Sequence, residues 1–155
     1  MPIKVVALDV YGTILARDDY DDCFPPRKGL CQLFDNCLER GIKVVTISDG
    51  LVGNVRNDLV VSFRNCREGQ LCLEMFDGFF QMQVGNKELQ PILECYGIQP
   101  DELLVVGDDP LVDICAAKEI GARFVQCPVY EVNGEREWTF DKVNEALNVS
   151  YQPSV

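Results

Sequence analysis

Histidine is absent from the 155-residue sequence. Its absence excludes Ser–His and Cys–His nucleophile pairs, and it excludes every zinc site that needs a histidine ligand. If the chain catalyses a reaction, that reaction must depend on carboxylates, lysine, hydroxyl groups or thiols.

Long apolar runs and clusters of basic residues are also missing. No run approaches the roughly 18 residues that a membrane span needs, and no signal peptide is visible after Met1. The chain has 14 Lys and Arg against 25 Asp and Glu, a net charge of −11. Such a surface repels a nucleic-acid backbone. We therefore expect a cytoplasmic protein whose partners include neither a membrane nor a nucleic acid.

The eight cysteines include no CxxC pair. Cys31 and Cys37 share a helical apolar stripe with Leu33 and Phe34, which favours buried, reduced thiols in a cytosolic chain. A redox or metal-binding role for one pair of cysteines is the alternative.

Buried strands and amphipathic helices alternate along the chain. Apolar runs predict strands at 3–10, 42–48, 103–106 and 122–126, and a shorter strand after a turn at Asp77-Gly78. Helical spacing predicts helices at 28–40, 50–63, 87–96 and 111–120, with Pro91 as an alternative first turn for the third of them. This alternation predicts an α/β fold with three Rossmann-like layers, a mainly parallel sheet with helices on both of its faces.

A C-terminal extension, residues 127–155, follows the expected core of about residues 3–126. Its pattern predicts a hairpin over 129–138, turning at Asn133-Gly134, and a short helix over 141–147. No interdomain linker is visible, so residues 1–155 are expected to form one domain.

Polar residues follow three of the predicted strands, where open α/β sheets bind their ligands. Each of them has an ordinary alternative as a cap, a turn residue or a solvated side chain. Their convergence is harder to explain, because neighbouring carboxylates repel one another and oxygen ligands suit Mg²⁺. The residues at the strand ends are Asp9, Tyr11, Gly12, Thr13, Ser48, Asp49, Asp108, Asp109 and Asp113, and Lys87 opens the predicted helix before the last of these strands.

The order and spacing of these residues resemble the haloacid dehalogenase (HAD) superfamily of hydrolases. Asp9-Val10-Tyr11-Gly12-Thr13 matches the first motif, DxDGT, except at its third position. Ser48 matches the second motif, Lys87 the third, and Gly107-Asp108 through Asp113 the acidic fourth motif, GDxxxxD. The resemblance covers about residues 3–126.

This resemblance implies a Mg²⁺-dependent phosphatase that forms an aspartyl-phosphate intermediate on Asp9. Asp9, the Tyr11 carbonyl and Asp108 would hold the metal, with Asp109 or Asp113 in support. Ser48 and Lys87 would bind the phosphoryl oxygens, and Asp49 is a further candidate for the phosphate site. Gly12 and Thr13 are assigned to the phosphate site, where they are expected to leave room for backbone N–H groups to face the phosphate.

Tyr11 departs from the family pattern, because phosphatases of this family carry a general acid at that position. Loss of such an acid typically lowers a rate by about 10²–10⁴. A low or specialised activity is therefore expected. The alternatives are a non-catalytic binding or regulatory module and a metal-independent 2-haloacid dehalogenase, in which the DxYGT form occurs. The retained acidic fourth motif argues against the dehalogenase.

No sizeable cap domain fits into the two family insertion points, 14–27 and 50–85. An uncapped site suggests a large phosphorylated substrate, or a site closed by another copy of the chain in a homo-oligomer. Four acids near the expected mouth would disfavour polyanions: Asp18, Asp19, Asp21 and Asp22.

Overall fold

The protein folds around a five-stranded, all-parallel sheet. A computed structural model describes residues 2–20, 24–134 and 137–151, without the side chains of 149–151. The strand order is β3-β2-β1-β4-β5. The strands are β1 (Val5–Asp9), β2 (Lys43–Ser48), β3 (Gly78–Gln81), β4 (Leu103–Gly107) and β5 (Arg123–Gln126). The helices are α1 (Leu30–Arg40), α2 (Val52–Phe63), α3 (Gln90–Tyr96), α4 (Cys115–Ile120) and α5 (Asp141–Tyr151).

Strand β1 lies at the centre of the sheet and is buried along its whole length. Its side chains alternate between the two faces, as a strand requires. Val6 and Leu8 join the apolar core beneath α1, α2 and α5, whereas Val5 and Ala7 join a second core beneath α3 and α4. The two cores explain why β1 reads as an uninterrupted apolar run, and they confirm the predicted three-layer α/β fold.

Several element boundaries differ from the sequence prediction. Gly78 is the first residue of β3 rather than part of a turn, and α3 begins at Gln90 because Pro91 favours the first turn of a helix. The predicted helix over 111–120 is divided into a wide helical turn, Pro110–Ile114, and α4. Helix α5 extends past Leu147, where the prediction ended it.

The predicted hairpin over 129–138 is wrong in the parts that the structure describes. Residues 129–134 and 137–138 contain no strand, and Glu135 and Arg136 lie outside the described residues. The segment is instead fastened to the turn that follows β1. The Tyr130 amide donates to the Gly12 carbonyl, and the Arg17 amide donates to the Tyr130 carbonyl. The extension therefore supports the carboxyl edge of the sheet.

The seven cysteines that the structure describes are all free thiols. Of the two cysteines on the predicted apolar stripe, Cys37 is buried and Cys31 is partly buried. Cys127 is also buried, Cys66 is partly buried, and three others are exposed. These are Cys72, Cys95 and Cys115. Cys23 lies outside the described residues.

None of the helices in the described part of the chain is long and apolar enough to cross a membrane.

Candidate active site

A cleft of about 360 Å³ opens at the carboxyl edge of the sheet. It is lined mainly by the turns that follow the strands, which is where the sequence placed its candidate residues. Seven predicted residues line it: Asp9, Tyr11, Asp49, Lys87, Asp108, Asp109 and Asp113. Four residues that the sequence did not single out line it as well: Arg17, Gln83, Gly85 and Val112.

Three buried carboxylates meet at the base of the cleft. Asp9, Asp108 and Asp113 each offer one oxygen, and these oxygens all lie within 4.8 Å of one another. Strands β1 and β4 are hydrogen-bonded neighbours in parallel register, so Asp9 at the end of β1 comes beside Asp108, which follows β4. The wide turn at Pro110–Ile114 then brings the Asp113 carboxylate close to those of Asp9 and Asp108. Three aligned oxygen ligands of this kind suit Mg²⁺.

Glycine is required at position 107 for this arrangement. A Cβ atom at Gly107 would lie 2.1 Å from the Asp113 Oδ2 atom, a distance that no side chain tolerates. Asp113 is 1% exposed and cannot move outward without leaving the cluster. The glycine of the fourth motif therefore makes room for its last aspartate.

Lys87 joins two of the carboxylates. Its Nζ atom donates to Asp9 Oδ1 at 2.7 Å and to Asp113 Oδ1 at 2.5 Å, and more weakly to the Ile47 carbonyl at 3.4 Å. Lys87 lies in the turn between β3 and α3, not at the start of a helix as the sequence suggested. All three of its N–H groups have protein acceptors, so a phosphoryl oxygen would have to replace one of them.

Burial dominates the electrostatics of Asp9. It raises the pKa of the Asp9 carboxyl to about 8, against the opposing effect of Lys87, and Asp113 raises it further. Burial alone would lower the pKa of Lys87, but the two carboxylates outweigh it and raise that pKa. Burial therefore disfavours the charged form of Asp9, and a further cation at the base of the cleft would favour it.

The turn after β1 packs against two of the three carboxylates, Asp9 and Asp108. Gly12 has a φ of +88°, and a Cβ atom there would lie 2.8 Å from Asp108 Oδ2. The buried Thr13 hydroxyl lies 3.2 Å from both Asp9 Oδ2 and Asp108 Oδ1, so its single hydrogen serves one of them at a time. The amides of Gly12 and Thr13 donate to carbonyls within the turn. Their role in phosphate binding therefore stays a prediction.

Three other predicted residues lie close to the cluster but outside it. Ser48 is buried and does not line the cleft, and its Oγ atom accepts from the Gly50 amide at 3.1 Å. Asp49, the next residue, is exposed and does line the cleft. The Asp109 side chain accepts from the Leu111 and Val112 amides, so it caps the wide turn rather than joining the three carboxylates.

Tyr11 lines the cleft, and its hydroxyl has a partner outside the carboxylate cluster. Its hydroxyl donates to Asp58 Oδ2, on helix α2. The phenol hydroxyl is thus engaged by Asp58 rather than by one of the three clustered carboxylates. Asp58 is 47 residues away in the chain, and no motif in the sequence indicated it.

Arg17 is the functional candidate that sequence reasoning missed. Its guanidinium NH2 group donates to Asp108 Oδ2 at 2.6 Å. In the sequence, Arg17 precedes Asp18 and Asp19 in an acidic stretch and carries no motif signal. The carboxylates of those neighbours instead accept from backbone amides, Asp18 from Val132 and Asp19 from Phe24. Asp21 and Asp22, which the sequence also placed near the mouth, lie outside the described residues.

The family model of the HAD-hydrolase-like proteins matches residues 87–128. This segment runs from Lys87 through β4, the wide turn and β5, so it includes two of the three clustered carboxylates. No curated protein matches the sequence.

Solved structures show the same fold at low sequence identity. One is the N-terminal part, containing a phosphatase domain, of a Bacteroides fragilis protein complexed with Mg, with 19% identity and a TM-score of 0.63. The match covers 82% of this chain but only 36% of that one. A predicted phosphoglycolate phosphatase from Haemophilus somnus 129pt has a TM-score of 0.66 at 11% identity, over 93% of this chain and 97% of its own.

A third similar structure is a mutant of CbbY from Rhodobacter sphaeroides in complex with xylulose-(1,5)bisphosphate. It has a TM-score of 0.62 and 14% identity, over 88% of this chain and 92% of its own. The family match bears out the resemblance to HAD-like hydrolases over residues 87–128, and the structural likenesses show that the chain shares the fold of these solved structures.

Proposed function

From the HAD-like fold, the family match and the geometry of the cleft, we propose that the protein is a Mg²⁺-dependent phosphatase whose nucleophile is Asp9. The observation that carries this proposal is the meeting of Asp9, Asp108 and Asp113 around Lys87 at the base of one cleft. An anionic carboxylate can attack an anionic phosphoryl group only where positive charge reduces their repulsion.

The proposed reaction runs in two steps on Asp9. A carboxylate oxygen of Asp9 attacks the phosphorus atom, the bond to the leaving oxygen breaks, and an aspartyl phosphate forms. Water then hydrolyses this acyl phosphate and restores Asp9. Lys87 orients Asp9 and neutralises part of the charge on the phosphoryl oxygens. Thr13 positions Asp9 and Asp108 through its hydroxyl. Ser48 and Asp49 stay candidates for contacts with the phosphate.

The donor set fits Mg²⁺. Asp9 and Asp108 would hold the ion, with the Tyr11 carbonyl as a further ligand and Asp113 in support. Asp109 is the weakest candidate, because its carboxylate is used as a cap. When bound, the ion would supply positive charge at the phosphoryl oxygens and at Asp9.

The position of the Tyr11 side chain predicts a strong dependence on the leaving group. With no acid to protonate the departing oxygen, an acyl or aryl phosphate should react faster than an alkyl phosphate by about 10²–10⁴ in kcat/KM beyond their intrinsic reactivity. A series of esters of increasing leaving-group pKa, assayed with Mg²⁺ and with EDTA, measures this dependence. Tyr11→Asp should flatten it. Equal turnover of alkyl and aryl phosphates would contradict the proposal.

A non-catalytic binding module is the second candidate, and the contact between Tyr11 and Asp58 favours it. Such a module would bind Mg²⁺ and phosphate in the same cleft without turning over any ester in the series. A metal-independent dehalogenase would release halide from a 2-haloacid in EDTA. The three buried carboxylates argue against that reaction, because it has no use for a metal site.

We also propose that the substrate is large and phosphorylated. The described residues between β1 and α1, 10–20 and 24–29, form turns, and those between α2 and β3 add one short helical turn at Leu73–Met75. This supports an open, uncapped site. Free thiols in the described cysteines fit a reducing compartment such as the cytoplasm.

Exposed apolar side chains close in sequence to the cleft lining support a macromolecular substrate. Four such residues are called the rim. Among the described residues, six large hydrophobic side chains are exposed, and four of these are close in sequence to residues that line the cleft. Val84 lies between Gln83 and Gly85, and Leu111 precedes Val112. The rim consists of Tyr20, Leu51, Val84 and Leu111. Exposed apolar side chains beside a cleft are candidates for a surface that a partner covers.

A phosphorylated polypeptide with basic and apolar neighbours is the partner that this rim fits best. A homo-oligomer would bring together two chains of net charge −11, and a nucleic acid would meet five acids in the cleft. The double variant Val84→Ser/Leu111→Ser should lower kcat/KM for such a phosphopeptide about tenfold, since two apolar contacts are lost. Turnover of a small aryl phosphate should change less than twofold. Leu38→Ser, at an exposed site on α1, is the matched control.

Loss of activity toward the aryl phosphate as well would contradict a role for the rim in substrate binding. The alternative is that the rim is an interface between two copies of the chain, and size-exclusion chromatography tests it. A stable wild-type dimer that becomes a monomer in Val84→Ser/Leu111→Ser would assign the rim to that interface.

A further inference from the structure

Arg17 occupies one side of a carboxylate that the proposed metal site needs. The Arg17 side chain is 53% exposed, whereas the Asp108 side chain that it contacts is 1% exposed. The guanidinium therefore reaches from the mouth of the cleft to a buried anion. The 2.6 Å separation between Arg17 NH2 and Asp108 Oδ2 is that of a charge-assisted hydrogen bond.

Both oxygens of Asp108 have donors nearby. Oδ2 accepts from Arg17, and Oδ1 lies 3.2 Å from the Thr13 hydroxyl. Thr13 is fully buried in the turn after β1 and has Asp9 as an alternative acceptor. Arg17, with half of its side chain in solvent, is the donor that can leave.

The backbone holds Arg17 in reach of Asp108. Its amide donates to the Tyr130 carbonyl at 2.8 Å, and the neighbouring Asp18 side chain accepts from the Val132 amide at 2.7 Å. Because the carboxylate of Asp18 is tied to that amide, it does not draw the guanidinium away. The C-terminal extension thus fixes the segment from which Arg17 extends.

The cleft is lined by more acidic than basic side chains. The described residues that line the cleft include five aspartates but only two cations, Lys87 and Arg17. Lys87 forms ion pairs with Asp9 and Asp113, and among the described residues Arg17 is the cation that forms an ion pair with Asp108. The buried Arg27 also acts on Asp108 electrostatically, but its guanidinium donates to the Pro128 carbonyl. A buried carboxylate that loses its partner is strongly destabilising. A divalent ion at Asp108 would provide the same compensation.

We propose that Arg17 is an internal cation that holds Asp108 when no metal is bound and competes with Mg²⁺ for that carboxylate. Metal binding and the Arg17–Asp108 ion pair are then alternatives. Release of Arg17 leaves its guanidinium free at the mouth of the cleft. This inference rests on the proposed metal site. The inference adds to the proposed metal site a residue, Arg17, that sets the affinity of the site for Mg²⁺.

Calorimetric titration of the full chain with MgCl₂ tests the competition without an activity assay. Arg17→Gln should bind Mg²⁺ about tenfold more tightly than the wild-type protein, because one charge-assisted hydrogen bond no longer opposes binding. Arg17→Lys should fall between the two. Arg123→Gln removes the same charge from the start of β5, at the opposite edge of the sheet, and should change the affinity less than twofold.

Thermal unfolding supplies the second measurement. In EDTA, Arg17→Gln should unfold at a lower temperature than the wild-type protein, and saturating Mg²⁺ should remove most of that difference. Unchanged or weaker Mg²⁺ binding by Arg17→Gln and Arg17→Lys would overturn the inference and leave the metal site standing. Equal tightening in Arg123→Gln would also overturn it, because a long-range charge effect would then suffice. Absence of Mg²⁺ binding in every variant would overturn the proposed function together with it.

Discussion

Asp9→Asn is expected to abolish phosphatase turnover, with a decrease in kcat of about 10³-fold or more. The amide is nearly isosteric with the carboxylate, but it is a poor nucleophile and forms no stable phosphoryl intermediate. Initial rates with an aryl phosphate and an acyl phosphate in saturating Mg²⁺ measure the loss. Rapid acid quenching followed by mass spectrometry should detect a phosphorylated residue 9 in the wild-type protein alone.

Asp101→Asn is the matched control for this variant. Asp101 is exposed and lies just before β4, at the opposite edge of the sheet from the cleft, so its replacement should leave kcat unchanged. The proposed nucleophile would be refuted if Asp9→Asn retained more than a tenth of the wild-type rate.

Lys87→Met is expected to cause the largest loss of stability, about 3–5 kcal/mol in the free energy of unfolding. Lys87 is almost fully buried and forms ion pairs with two buried carboxylates, Asp9 and Asp113. Methionine matches much of the lysine stem but leaves both anions without their cation. Urea unfolding at neutral pH in the absence of Mg²⁺, compared with the wild-type protein, measures the loss.

A second substitution should recover part of that stability. In Lys87→Met/Asp113→Asn one of the two unpaired charges is gone, so the double variant should be more stable than Lys87→Met alone. Lys43→Met, which breaks the more exposed ion pair between Lys43 and Asp77, is the control and should cost less than about 1 kcal/mol. A loss of similar size in both lysine variants would contradict the special role of Lys87.

The strand ends were predictable because they depend on local pattern. Continuous apolar runs indicated strands buried on both faces, and parallel neighbours necessarily bring their carboxyl ends to one edge. That reasoning was sufficient to place Asp9, Asp108, Asp113 and Lys87 together, and the structure brings the four into contact. The same reasoning did not predict the role of Asp109. Its carboxylate accepts hydrogen bonds from the Leu111 and Val112 amides in the turn and does not join the cluster.

The electrostatic argument from the sequence was incomplete. It assumed that carboxylates could sit this close only with a divalent ion between them. The structure pairs Lys87 with two of them and Arg17 with the third. Arg17 and Asp108 are 91 residues apart, so no local spacing could have linked them.

The amino-acid sequence by itself determined the fold class, the edge of the sheet that carries the site and the acids that gather there. These follow from periodic burial and from the order of strands along the chain, which act over a few residues at a time. Only the tertiary structure decided which cation faces each carboxylate, that the Tyr11 hydroxyl bonds to Asp58, and that the C-terminal extension supports the turn after β1. Those contacts join residues distant in the chain, and their partners are selected by the packing of whole elements rather than by any local preference.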